Sequence, residues 1–180
     1  MTIPNPNIVY GSAALLCAAA AAAFDLRTRR IPNLLTGFSI LFGLLLHLIL
    51  GGWSQLGWSA AAAVIGGGVF LVFYLAGGMG GGDVKLMSAV ACISGYHSVM
   101  ELLLSTAIMG GIFALLLALV RGKLKQTLQN IGALLVHHRI AGLTPHPELN
   151  LKNARTLRLP YAIAIAAGCL ITLLGEMPLR

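Results

Sequence analysis

The sequence has few charged residues. Only 9% of its 180 residues are charged, against about 25% in a typical soluble domain, while 58% are hydrophobic. The mean hydropathy is +0.88. This composition argues against an ordinary soluble enzyme and predicts an all-α polytopic membrane protein. A chain of this length has room for about six membrane spans joined by short loops.

Paired cysteines are also missing. Without a Cys-x-x-Cys pair, neither a zinc site nor a disulfide framework is predicted. The three thiols, each isolated in an apolar run, are interpreted as small core residues: Cys17, Cys92 and Cys169. His137-His138 and His146 do not have a recognised ligand spacing, so no metal site is expected.

Other motifs are absent as well. No G-x-S-x-G occurs, which argues against serine chemistry. The net charge is +7, but no basic-aromatic pattern of a nucleic-acid module is present, and no nucleic-acid partner is expected. Residues 1–10 contain no Lys or Arg, so the first apolar run is interpreted as an uncleaved span with its N-terminus outside.

Six apolar runs are predicted to be spans, near residues 8–24, 34–50, 56–76, 84–97, 100–120 and 159–175. The fourth is short for a bilayer. Basic residues occur in the odd-numbered loops only, which predicts that these loops are cytoplasmic and that both termini are outside. Basic residues at these positions also meet membrane lipid, which is an expected partner.

The largest hydrophilic region, residues 121–158, is predicted to be a cytoplasmic loop within a single membrane domain of residues 1–180. Its first half, "KLKQTLQNIGALLVHHRI", has apolar residues at helical spacing and predicts an amphipathic helix on the membrane surface. Its second half, "AGLTPHPELNLKNAR", is predicted to be an irregular connection.

The five acidic residues are Asp25, Asp83, Glu101, Glu148 and Glu176. The predicted topology places the first two at span ends on the same, cytoplasmic face, because two spans separate them. Ionisable groups at membrane depth are costly, so each is a candidate functional residue. Structural roles compete with this interpretation, since Asp83 is a suitable helix cap and Asp25 could pair with a nearby arginine.

Two stretches carry the aspartates, "FDLRTRRIPNLLT" and "GGMGGGDVKLM". Gly80-Gly81-Gly82-Asp83 matches the G-x-G-D motif of intramembrane aspartic proteases. An aspartate closing the first span, followed by basic residues and Ile31-Pro32-Asn33, resembles the type IV prepilin peptidases. "LPYAIAIAAG", residues 159–168, is similar to the last span of that family.

One departure narrows the resemblance. Larger prepilin peptidases carry an added cytoplasmic domain with Cys-x-x-Cys motifs and a methyltransferase activity. Here the second span begins soon after Asp25, and those cysteines are absent. The chain therefore resembles the small, peptidase-only form of Flp-type, tight-adherence pilus systems, and no methyltransferase activity is expected.

The resemblance implies an aspartic endopeptidase of the bacterial inner membrane that removes the short leader of type IV-like prepilins, as part of pilus assembly or protein secretion. Asp25 and Asp83 would be catalytic, with water as the nucleophile and no cofactor. The supporting residues would be Gly80, Gly82, Lys85, Pro32 and Asn33. Asn33 is predicted to cap the second span.

The helix dipole suggests which of the two aspartates is protonated. Asp83 precedes a helix, where an anion is favoured, and Asp25 follows one, where it is disfavoured. Our hypothesis from the sequence is that Asp83 is ionised and Asp25 protonated at rest, although the arginines after Asp25 oppose it.

Two other functions compete with the protease. A membrane aspartate beside a broken helix also describes the coupling-ion site of a transporter. A non-catalytic assembly factor of a pilus or secretion machine would tolerate substitution of both aspartates. Neither the substrate nor the oligomeric state can be predicted from the sequence.

Overall fold

The computed structural model describes residues 6–142, 144 and 161–177, and every regular element among them is a helix. These helices are α1 (Pro6–Thr28), α2 (Asn33–Leu75), α3 (Gly81–Ser94), α4 (Val99–Val120), α5 (Leu124–Ala141) and α6 (Tyr161–Glu176). The predicted all-α class is confirmed. The irregular connection predicted in the second half of the large loop lies mostly outside the described residues.

Within this described part, α1, α2 and α4 are long and apolar enough to cross a membrane. Their lipid-facing side chains are apolar, as in Leu16, which is 72% exposed, and Val64, which is 74% exposed. The chain is thus a membrane protein. Because α3 and α6 are shorter, the count of six spans stays a prediction, as does the side on which the termini lie.

Helix α2 contains two of the predicted spans. Its regular backbone is interrupted at Gly52, where φ is 73° and ψ is −170°. The predicted loop "GGWSQ" is otherwise helical. Each half of α2 rises roughly 30 Å at 1.5 Å per residue, which matches the hydrocarbon core of a bilayer.

The first half of α2 runs parallel to α3. At one end, Lys85 Nζ donates to Asn33 Oδ1 at 2.9 Å. At the other end, His47 Nε2 hydrogen-bonds the Ile93 carbonyl at 3.0 Å. The beginnings of the two helices therefore lie together, although 52 residues separate Asn33 from Lys85.

The second half of α2 runs antiparallel to α3. Ser59 Oγ donates to the Cys92 carbonyl at 2.7 Å, and a Cβ at Gly81 would lie 3.6 Å from the Tyr74 ring. The chain thus folds back at Gly52, and both ends of α2 lie beside the first turn of α3.

Helix α3 lies at the centre of the bundle. Eight of its 14 residues are buried, and the helix rises only about 21 Å. Glycines let α2 approach it closely, since a Cβ at Gly66 would lie 2.7 Å from Ala91 Cβ. The predicted shortness of this segment is confirmed, although the helix starts three residues earlier than the predicted span.

Helices α1 and α4 both pack against α6. A Cβ at Gly168 would lie 2.9 Å from the Thr106 amide nitrogen, so α4 and α6 are in close contact. A Cβ at Gly11 would meet Leu173 Cδ1 at 2.9 Å, which places the start of α1 beside the end of α6. The end of α1, which carries Asp25, therefore lies beside the start of α6.

Candidate active site

Asp25 lies near the end of α1, inside the helix rather than after it. The chain then turns sharply at Arg29, the one non-glycine residue with positive φ (53°) among those described. The Arg29 amide donates to the Asp25 carbonyl at 2.8 Å, and Thr28 Oγ1 donates to the Arg30 carbonyl at 3.0 Å. This turn returns the chain past Asp25 to the start of α2.

The glycine run ends α2 and starts α3. Gly77 has φ 79°, the left-handed conformation that a glycine adopts most readily after a helix. The Gly78 amide donates to the Phe73 carbonyl at 2.9 Å, and the Gly77 amide donates to the Tyr74 carbonyl at 3.0 Å. These two bonds form a Schellman motif, so the chain reverses within a few residues and leads directly into α3.

Asp83 is the third residue of α3, and Gly80 is the residue before the helix. The Gly80 amide donates to Asp83 Oδ2 at 3.1 Å, which satisfies an amide at the helix start. A Cβ at Gly80 would lie 3.2 Å from the same oxygen. Asp83 therefore has a structural partner, and only a residue without a side chain leaves its carboxylate undisturbed.

These two segments line one open cavity of about 290 Å³. Both aspartates contribute to it, although 58 positions separate them in the sequence. The cavity is lined by Asp25, Arg29, Arg30, Ile31, Asn33, Gly80, Gly82 and Asp83. The prediction that Asp25 and Asp83 lie at the same end of the protein agrees with this geometry.

One supporting residue, Asn33, has a role other than the one predicted. Asn33 does not cap α2, because Pro32 is the capping position and no side-chain cap bond forms there. The predicted cap was therefore wrong. Asn33 instead accepts the hydrogen bond from Lys85, so this pair ties the start of α2 to the first turn of α3, next to Asp83.

A model of the type IV leader peptidase family matches residues 12–115, more than half of the chain. This chain belongs to the type IV leader peptidase family. No curated protein and no solved structure matches the sequence. The resemblance to prepilin peptidases is confirmed at the level of the family, and the matched region contains both aspartates.

In this leader peptidase, the pKa of Asp83 is governed mainly by burial. Asp83 lies outside the three helices long enough to cross a membrane. Burial raises the pKa of Asp83 to about 6; the Gly80 hydrogen bond opposes this shift, and the charge of Asp25 adds to it. Desolvation thus outweighs the effect of the helix N-terminus on Asp83, and the assignment of the shared proton to one of the two aspartates stays a hypothesis.

Sequence reasoning missed one feature of the peptidase cavity. Ile31 was noted only as part of a motif, yet its Cβ lies 3.5 Å from where a Cβ at Gly82 would be. This contact joins the turn after α1 to the first turn of α3, and no local pattern in the sequence could predict it.

Within the described residues, no group of three His, Cys, Asp or Glu side chains could hold a metal ion.

Proposed function

We propose that this leader peptidase cleaves the short basic leader of type IV-like, Flp-type prepilins at the cytoplasmic face of the inner membrane, by activating water with Asp25 and Asp83. The observation that carries the proposal is their shared cavity. Two neighbouring carboxylates do not both ionise readily, and the charge of Asp25 adds to the burial that raises the pKa of Asp83, so one proton is shared between them.

The chemistry requires a base and an acid. Ionised Asp25 takes a proton from water as the water oxygen attacks the scissile carbonyl carbon. Protonated Asp83, whose pKa is about 6, donates its proton toward the carbonyl oxygen. When the C–N bond breaks, the amine leaves with a proton from the pair, and no covalent intermediate or metal is required.

The charge of the cavity bears on substrate recognition. Arg29 and Arg30 line it together with the two aspartates, and the whole chain is basic. A basic leader is therefore not attracted by net charge. Recognition through the apolar helix of the substrate fits better, because Gly37 and Gly68 on α2 have no atom within 4 Å of a Cβ position and permit close helix approach.

The short connection between the first helices supports the peptidase-only form. Helix α1 ends at Thr28 and α2 begins at Asn33, so this connection has no room for an added cytoplasmic domain. N-methylation of the cleaved product is therefore assigned to another protein or does not occur.

The proposal is tested by co-expressing the protein with an Flp-type prepilin in a host that lacks its own prepilin peptidase. Leader removal is measured by gel shift and intact mass for wild type, Asp25→Asn and Asp83→Asn at equal membrane levels. Glu101→Gln is the matched control, since Glu101 is an exposed carboxylate on α4 and does not line the cavity.

We expect wild type and the control to cleave and both aspartate variants to fail. Cleavage by both aspartate variants at the wild-type level would overturn the catalytic assignment and favour an assembly role. If no variant cleaves any of a panel of prepilins, cation flux into liposomes tests the transporter alternative.

A further inference from the structure

Helix α5 follows the membrane-crossing helix α4 and has an unusual charge content. Between Arg121 and Gly142 the sequence contains four Lys or Arg residues and no Asp or Glu. At 100° per residue, the apolar stripe of its first three turns covers about 120° of arc. The stripe comprises Leu124, Leu128, Ile131 and Leu134.

The basic residues border this stripe. On the same helical projection, Lys123 lies at one edge, and Arg139 and Lys125 lie along the other. Leu128 is 58% exposed and Ile131 is 49% exposed. Among the described elements, only α4 contacts α5, so the described part of the fold leaves the side chains of Leu128 and Ile131 exposed.

The corner between α4 and α5 is well defined. Gly122 has φ 64°, its amide donates to the Leu119 carbonyl at 3.0 Å, and the Lys123 amide donates to the Ala118 carbonyl at 2.9 Å. These bonds close α4 with a Schellman motif. Val120, directly before the corner, is 84% exposed, so α5 starts where an exposed apolar helix ends.

We propose that α5 lies on the surface of an anionic bilayer, with its apolar stripe among the acyl chains and its lysines and arginines on the lipid phosphates. Charge complementarity indicates that lipid covers the stripe, because each basic residue near an anionic membrane surface contributes about 1 kcal/mol to binding. A second copy of α5 carries the same positive charge and is repelled.

The helix contacts also give the level of α5 relative to the aspartates of the proposed function. From the contact between Gly11 and Leu173, α1 rises about 21 Å to Asp25. Helix α6 runs the opposite way and rises about 18 Å to Tyr161. Asp25 and the start of α6 therefore lie at nearly the same level.

Helix α4 extends past that level. A Cβ at Gly110 would lie 4.0 Å from Tyr161 Cε1, and from Gly110 to Val120 the helix rises about 15 Å. The start of α5 therefore lies on the order of 10–15 Å beyond the level of Asp25 along the bundle.

The test uses tryptophan fluorescence of the full chain in nanodiscs. Trp53 and Trp58 are the only tryptophans, and both are exposed. The variant Trp53→Phe/Trp58→Phe therefore has no tryptophan fluorescence of its own. Leu128→Trp then reports on the stripe, and Gln126→Trp reports on the opposite face as the matched control. Quenching by brominated phosphatidylcholine is measured with and without phosphatidylglycerol, at one peptidase per disc.

We expect at least twofold stronger quenching at position 128 than at position 126, with the difference increased by phosphatidylglycerol. Lys123→Gln/Lys125→Gln/Arg139→Gln should abolish that increase. Equal quenching at the two positions, or an unchanged lipid effect in the charge variant, would overturn the proposal. Quenching that requires two copies per disc would instead identify a second copy as the occupant. Because no cleavage is measured, failure here is distinguishable from failure of the proposed function.

Discussion

The protein has a carboxylate pair at each end of its bundle, and the two pairs differ in their surroundings. Asp25 and Asp83 line a cavity of about 290 Å³ between the turn after α1 and the start of α3. At the other end, Ser98 Oγ donates to Glu176 Oε1 at 2.5 Å. Burial raises the pKa of Glu176; the Ser98 hydrogen bond opposes this shift, and the charge of Glu101 adds to it.

The glutamate pair lies at a close contact between helices, with Glu176 half-buried and Glu101 exposed. A Cβ at Gly175 would lie 2.8 Å from Glu101 Oε1, and a Cβ at Gly11 would lie 3.3 Å from Glu176 Oε2. Neither glutamate lines the aspartate cavity or the smaller cavity near His47. The comparison teaches that neighbouring carboxylates alone do not make a candidate site: both aspartates line one cavity, whereas Glu101 is exposed on α4, which is why we assign hydrolysis to the aspartates alone.

The largest expected effect is loss of cleavage on substitution of either aspartate. We expect Asp25→Asn and Asp83→Asn to lower kcat/KM for leader removal by at least about 10³-fold. Because the two groups act as one unit, the double variant should lose little more than either single variant. The measurement is cleavage of a purified prepilin by purified peptidase in nanodiscs.

The glutamate pair supplies the control for that comparison. Glu101→Gln should keep wild-type kcat/KM, since Glu101 does not line the cavity. A double aspartate variant whose loss equals the product of the two single losses would argue that the aspartates act independently.

A second effect is a fall in activity with rising pH. Asp83, with a pKa of about 6, is protonated below that pH and loses its proton above it, so the acid of the pair disappears as pH rises. We expect kcat/KM to fall about tenfold per pH unit above the upper pKa of the pair. Stopped cleavage assays between about pH 4.5 and 8.5 measure this fall in kcat/KM.

The substitution Asn33→Asp tests whether the fall in activity with pH comes from the aspartate cavity. It adds a third carboxylate to the cavity, which disfavours ionisation of the other two and should move the falling limb to higher pH. Glu101→Gln should leave the limb in place. If kcat/KM falls at the same pH in Asn33→Asp as in wild type, the fall is caused by the titration of a group outside the cavity.

A third, smaller effect is expected at Gly80. The Cβ of Gly80→Ala would lie 3.2 Å from Asp83 Oδ2 and should displace this carboxylate by a few tenths of an ångström. We expect about a tenfold loss of kcat with the fold intact, since catalytic geometry is sensitive to sub-ångström shifts. In Gly81→Ala, the matched control, the new Cβ would make an ordinary contact 3.6 Å from Tyr74, and kcat should change little.

Much of this arrangement could be predicted from local patterns. Apolar runs located the helices, and Gly51-Gly52 fell inside the segment where α2 reverses. The number of spans between Asp25 and Asp83 placed them at the same end, and one cavity contains both. These features depend on composition and connectivity, which are readable along the chain.

The protonation of the pair could not be predicted in the same way. The helix-dipole argument used only the neighbours of each aspartate in the sequence, whereas the pKa of Asp83 is governed mainly by burial, which depends on packing. The partner of Asn33 was missed for the same reason, because Lys85 belongs to a distant part of the chain. Tertiary contacts decided both outcomes.

The smallest expected effect is at the glutamate end and concerns stability. Ser98 is buried, and its hydroxyl is the donor to Glu176 Oε1; Glu176 Oε2 has no hydrogen-bond partner among the described residues. Ser98→Ala should therefore lower the free energy of unfolding by about 1–3 kcal/mol, with Ser98→Thr restoring most of it. Thermal unfolding in detergent measures this change, and leader removal below the transition should match wild type. Slower cleavage by the folded Ser98→Ala protein would mean that the glutamate end is coupled to the aspartate cavity, and the separation between the two pairs would no longer hold.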